Sequence, residues 1–91
     1  MKQVTLNGAK MESIEVAHSY IARKLSFPSY YGHNLDALWD VLSSINENLH
    51  ITLVNNDLLI TSLGDYGRSL VDVFIEAAQE SDCVQFELAI K

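Results

Sequence analysis

A chain of 91 residues, 48% hydrophobic and 20% charged, has the length of one domain, residues 1–91, and enough apolar side chains for a core, which excludes a disordered acidic tail. Folding at this size hides only about 60 to 65% of the surface an unfolded chain exposes, so a large internal ligand cavity would be hard to maintain. Six Lys and Arg against twelve Asp and Glu give a formal net charge of −6, a sign that repels nucleic acid and anionic membrane.

In chain order, Gln3 to Leu6 reads as a short strand ending in the turn pair Asn7-Gly8. A helix follows, with Ser13 as its cap and Ile14, Ala17, Ile21 and Leu25 as its buried stripe, and Pro28 forbids continuation past Phe27. The next helix is signalled by Leu35, Leu38, Trp39 and Leu42 at i, i+3, i+4 and i+7, with Asn34 as its N-cap. His50 to Val54 is an apolar, β-branched strand. Asn55-Asn56-Asp57 then opens a short helix through Leu58 to Leu63, stopped by Gly64.

Tyr66 to Glu80 is the longest helix, with Leu70, Val73, Phe74 and Ala77 facing the core and Asp72, Glu76 and Glu80 forming an acidic row at i, i+4 and i+8. Cys83 to Ile90 alternates as a half-buried strand, with Val84, Phe86, Leu88 and Ile90 on one face. Strands separated by helical segments imply parallel pairing. The expected fold class is α/β, a small three-stranded parallel sheet packed with about four helices, mainly on one side. The order of the strands does not follow from the pattern.

The single Cys83 cannot form an internal disulfide and reads as a small buried apolar group opening the last strand. Met1 to Asn7 lacks the apolar run of a signal peptide, and no apolar stretch approaches the ~20 residues of a membrane span. A cytoplasmic location is expected.

Charge is distributed unevenly: from Ser26 to Ile90 the only base is Arg68, against ten acids. Within the Asn34-capped helix, Asp36 and Asp40 lie on one side at about 100° per residue, away from the Leu stripe, with Trp39 at the border. Asp36, in the first turn, gains roughly 0.3 to 1 kcal/mol from the helix dipole. Asp40 lies beyond that turn and faces a like charge at i−4, at a cost of about 0.2 to 0.5 kcal/mol. Ala37, Ser43 and Ser44 offer it no countercharge. Solvated helix faces usually mix signs, so an uncompensated pair beside a large aromatic reads as a surface for a cationic partner.

The run Pro28-Ser29-Tyr30-Tyr31-Gly32-His33-Asn34-Leu35-Asp36-Ala37-Leu38-Trp39-Asp40 closely resembles the signature segment of the barstar family of intracellular ribonuclease inhibitors. The likeness extends to Val4-Thr5-Leu6-Asn7-Gly8, the Ser13-Ile14 helix start, Val73 to Ala77 and the Cys83 strand, in matching order. The resemblance implies an inhibitor, not an enzyme, that needs no cofactor and no metal. As a monomer in a 1:1 complex it would plug the active site of a small basic, barnase-like ribonuclease or a related toxin, its carboxylates standing in the places of RNA phosphates. By position, Asp40 would enter the phosphate site, Asp36 and Glu76 would pair with further bases, and Tyr30 would lie across the catalytic residues. Asn34, Leu35, Trp39, Ser43 and Val73 match other contact positions or their neighbours.

The chain departs from the family pattern at Ser44 and Ile45, where Gly and Trp are usual, at His33, which replaces an acid, and at Val41, which replaces a Cys. Two other readings compete. One is a barstar-like interaction or antitoxin module for a different basic protein. The other is an enzyme in which Asp36, Asp40 and Glu76 hold Mg²⁺ or act as an acid and base pair, but a phosphate-cradling Gly-rich loop is missing, and His18, His33 and His50 lack metal-ligand spacing.

Overall fold

A computed structural model describes residues 2–89. Three strands, β1 (Lys2–Asn7), β2 (Leu49–Val54) and β3 (Val84–Leu88), form one parallel sheet in the order β1-β2-β3. Four helices, α1 (Ile14–Leu25), α2 (Leu35–Ser43), α3 (Asn56–Leu63) and α4 (Asp65–Glu80), occupy the two crossovers. This is the expected α/β class, and the strand order is the piece the pattern left open.

The period of 2 in β2 decides which face is covered. Leu49, Ile51 and Leu53 are buried, whereas His50, Thr52 and Val54 are only half-buried. The register sets Val4 beside Ile51 and Leu6 beside Leu53 on one flank, and Val84 beside Leu49 and Phe86 beside Ile51 on the other. The helices pack on this apolar face. Leu38 and Leu42 of α2, Ile21 of α1, Leu59 of α3 and Leu70 and Phe74 of α4 complete the core, and the Phe74 and Phe86 rings stack at 5.1 Å to seat α4 on β3. The opposite face carries exposed Gln3, Thr5, Gln85 and Glu87, and is crossed by a 2.6 Å contact from His50 Nε2 to Glu87 Oε1.

Several local expectations find their structural form here. Asn7-Gly8 opens a 3-10 turn, Gly8–Lys10, with the Ala9 N–H donating to Asn7 Oδ1 at 2.9 Å. Gly8 has no room for a side chain, because a Cβ there would run into the Asn55 carbonyl. Ser13 caps α1 by accepting from the Val16 N–H at 3.2 Å. Asn34 caps α2 by accepting from the Ala37 N–H at 2.8 Å. Gly64, at φ +60°, separates α3 from α4, and α4 begins at Asp65, one residue before the expected start.

Four details are corrected. Ile14 is 45% exposed rather than part of the buried stripe of α1, whose inner face is instead Ala17, His18, Tyr20, Ile21 and Leu25. Cys83 precedes β3 instead of opening it, and is half-buried rather than buried. Leu88 is 41% exposed, because the helical layer covers Val84 and Phe86 but not the last residue of the strand. Val71 joins the buried face of α4, while Val73 is half-buried against the core. The expectation for Ile90 lies outside the described residues.

Candidate functional site

The Asn34 cap fixes where α2 begins, and that start sets the direction of every α2 side chain. Leu38 and Leu42 are fully buried, and Leu35, Trp39 and Val41 pack half-buried at the edge of the core. That orientation turns Asp36, Asp40 and Ser43 into solvent. At the last turn, the Ser43 and Ser44 hydroxyls donate to the main-chain carbonyl of Asp40 at 3.2 and 2.7 Å. Both serines thereby tie down the backbone under Asp40 and leave its carboxylate unengaged.

Counter-cations are scarce. Among the described residues the ion pairs are Glu15 with His33, Glu87 with His50, and Asp65 with Arg68. None involves Asp36, Asp40 or Glu76. Desolvated by a partner, such carboxylates form their strongest bonds with Arg, whose guanidinium matches them two bonds at a time.

Tyr30 is 85% exposed, far more than the other large hydrophobic side chains at the surface. It shares an open depression with Pro28, Asp40, Val41, Ser44 and Ile45. The structure therefore brings Tyr30 and Asp40 together, at the lip of a patch whose other walls are largely apolar. A second depression adjoins it through the shared Pro28, Val41 and Ile45. Asp36 lies one helical turn from Asp40 on the same helix. Val73 and Glu76 belong to α4, which packs against α2, and neither lines the Tyr30 depression.

The loop carrying Tyr30 is held from below by residues to which the sequence reading gave no supporting role. The His18 Nδ1 meets the Tyr31 hydroxyl at 2.6 Å, and its Nε2 meets the Tyr66 hydroxyl at 2.7 Å. His18 is 0% exposed, and burial pulls its pKa below the ordinary histidine value; the neighbouring His33 adds to this and Glu15 opposes it. Burial also pushes both tyrosine hydroxyls up, with Tyr66 contributing to the shift of Tyr31. The ring is thus neutral at pH 7, so one tyrosine donates to its bare nitrogen while the other accepts from its N–H. Phe27 meets Tyr31 edge-on at 5.0 Å, and the Tyr31 N–H donates to the Pro28 carbonyl. His33, at φ 54°, contacts Glu15 Oε2 at 3.0 Å.

One signal for this support was present: a histidine between Ala17 and Ile21 on an inward helix face needs partners. Nothing local identified Tyr66 as one of them. Among the described residues no group of three or more His, Cys, Asp or Glu is placed to hold a metal ion, and no helix is long and apolar enough to cross a membrane.

Comparison with known proteins agrees with this geometry. The family model of Barstar (barnase inhibitor) matches residues 1–91. A Bacillus subtilis (strain 168) protein named "Putative ribonuclease inhibitor YrdF" is 41% identical over 81 residues, covering 88% of this chain and 89% of that protein. Matched over its whole length, with the tyrosine loop and the capped acidic helix in place, the chain belongs to the barstar family, a family of ribonuclease inhibitors rather than enzymes.

Proposed function

We propose that this chain inhibits a small basic ribonuclease of the barnase type by covering its active site, as a 1:1 complex formed in the cytoplasm. Asp40 occupies the place of an RNA phosphate. Asp36 and, from α4, Glu76 meet further bases of the enzyme, and Tyr30 lies across its catalytic groups. Asn34, Leu35, Trp39, Ser43 and Val73 frame the contact. The observation that carries this reading is the exposed Asp40 carboxylate, without an internal cation among the described residues, in one depression with an 85% exposed tyrosine.

The energetics favour a charge plug over a purely apolar contact. An acidic surface on one partner raises the encounter rate with a basic one by roughly 10 to 10³, and it does so less at high salt. Once docked, Asp40 is desolvated against the guanidinium groups it pairs with, so its loss leaves enzyme cations buried and unpaired. Truncating one member of such a pair costs about 2 to 5 kcal/mol, a range drawn in part from the barnase–barstar pair itself.

Steady-state hydrolysis of a short RNA substrate by barnase, titrated with this chain, tests the reading. Inhibition at one chain per enzyme, competitive with substrate and weakened by added salt, is expected. Absence of inhibition, or inhibition indifferent to substrate concentration, contradicts it and moves the assignment to a module for another basic protein.

A further inference from the structure

Among the described residues His18 is the fully buried polar side chain of the core, and it joins three elements: α1, the Tyr30 loop and α4. It sits on α1, its Nδ1 reaches Tyr31 of the loop, and its Nε2 reaches Tyr66 of α4. The titratable groups facing it are Tyr31 and His33 from the loop, Tyr66 from α4 and Glu15 from its own helix. Glu15 is engaged with His33, and no carboxylate hydrogen-bonds to His18 among the described residues.

We propose that His18 is a positioning residue for the Tyr30 loop, clamping it between α1 and α4 while neutral and releasing it on taking up a proton. This rests on the reading of Tyr30 as a contact to the inhibited enzyme. A neutral imidazole satisfies both tyrosines, accepting from one and donating to the other. The added proton lands on the accepting nitrogen, so the tyrosine that donated to it loses its acceptor. The resulting imidazolium is buried with no carboxylate hydrogen-bonded to it, a cost that shifts the balance toward opening.

Opening withdraws Tyr31, which is 7% exposed and part of the core, but need not break the packing of α4 on the sheet. Beyond the clamp, the loop is held by the Tyr31 N–H to Pro28 bond, the Phe27–Tyr31 ring contact and the exposed His33–Glu15 pair. The Leu70 and Phe74 packing of α4 does not pass through His18. Local release is therefore separable from global unfolding. Burial of His18, which lowers its pKa in the closed form, agrees in direction with this coupling.

Hydrogen exchange of the free protein reads the opening directly. After correction for the intrinsic pH dependence of exchange, opening at the Tyr31 and Ala37 amides is expected to rise up to about tenfold per pH unit on acidification below about pH 6.5, while the Phe74 amide stays protected. His18→Gln, whose amide can still donate to one tyrosine and accept from the other, should give a flat profile. His18→Ala, which strands both hydroxyls, should open the loop at every pH and weaken barnase inhibition by about tenfold, with His18→Gln restoring most of it.

Identical pH profiles in the wild type and His18→Gln, or loss of protection at Tyr31 and Phe74 together, overturn the clamp. If either variant fails to fold, the site-resolved profile of the wild type decides alone. If the wild type shows the loop-specific profile but does not inhibit barnase, the inhibitory reading fails and the clamp stands as a property of the loop. If His18→Ala opens the loop but inhibits as the wild type does, the positioning role fails while the inhibitory reading stands.

Discussion

In the proposed contact, Asp40 and Tyr30 would separate function from stability at single residues. Asp40 makes no side-chain hydrogen bond or ion pair among the described residues, and the Ser43 and Ser44 hydroxyls bond its main-chain carbonyl instead. Tyr30 buries little of its ring in the free protein. Its removal should therefore leave folding almost untouched, within about 0.5 kcal/mol, as for exposed positions generally. Tyr30→Ala should nevertheless weaken inhibition by at least about 1 to 2 kcal/mol, because an aromatic anchor at the centre of an interface carries a disproportionate share of its energy. Urea unfolding and inhibition assays on the same variant check this; a matched loss in both would assign Tyr30 to the fold instead. Ser44 and Ile45, which depart from the family pattern, line the same depression as Tyr30 and Asp40, so in the proposed contact they would change its shape and not its charge.

The helix α2 was legible in the sequence because everything that defines it is local: the spacing of Leu35, Leu38, Trp39 and Leu42, and a cap residue three positions before the N–H it satisfies. Asn34→Ala should remove that cap and cost about 0.5 to 2 kcal/mol of stability, measured as a lower urea midpoint, with Asn34→Ser recovering most of it. An unchanged midpoint would mean that packing of Leu38 and Leu42 alone sets the helix start. The same local logic failed where an element outruns its cover. Ile14 and Leu88 fit their stripes by periodicity, but each sits at an end that the neighbouring layer does not reach. His18 failed for the opposite reason, since Tyr66 is 48 residues away and only the tertiary fold brings it to Nε2. The exposed direction of Asp36 and Asp40 was legible; the support beneath the Tyr30 loop was not.

For the molecule as a whole, two kinds of charge effect must be told apart. The first is internal: His18 has a folded pKa below its unfolded value of 6.5, so the unfolded chain takes up the proton first. Its contribution to stability is intact above about pH 6.5 and declines as the pH falls from there toward the folded value. The urea midpoint should drop between about pH 7.5 and pH 5.5, and His18→Gln should flatten that slope; equal slopes would place the titration elsewhere. The second is external, since the formal charge of −6 attracts any basic partner regardless of where the acids lie. Asp40→Asn and Asp72→Asn remove one charge each, the first from the lip of the Tyr30 depression and the second from the exposed row on α4. Measured as dissociation constants for barnase, Asp40→Asn should weaken binding by about 2 to 5 kcal/mol and Asp72→Asn by less than about 0.5 kcal/mol. Equal losses for the two variants would contradict phosphate mimicry at Asp40 and leave only a general attraction between opposite charges.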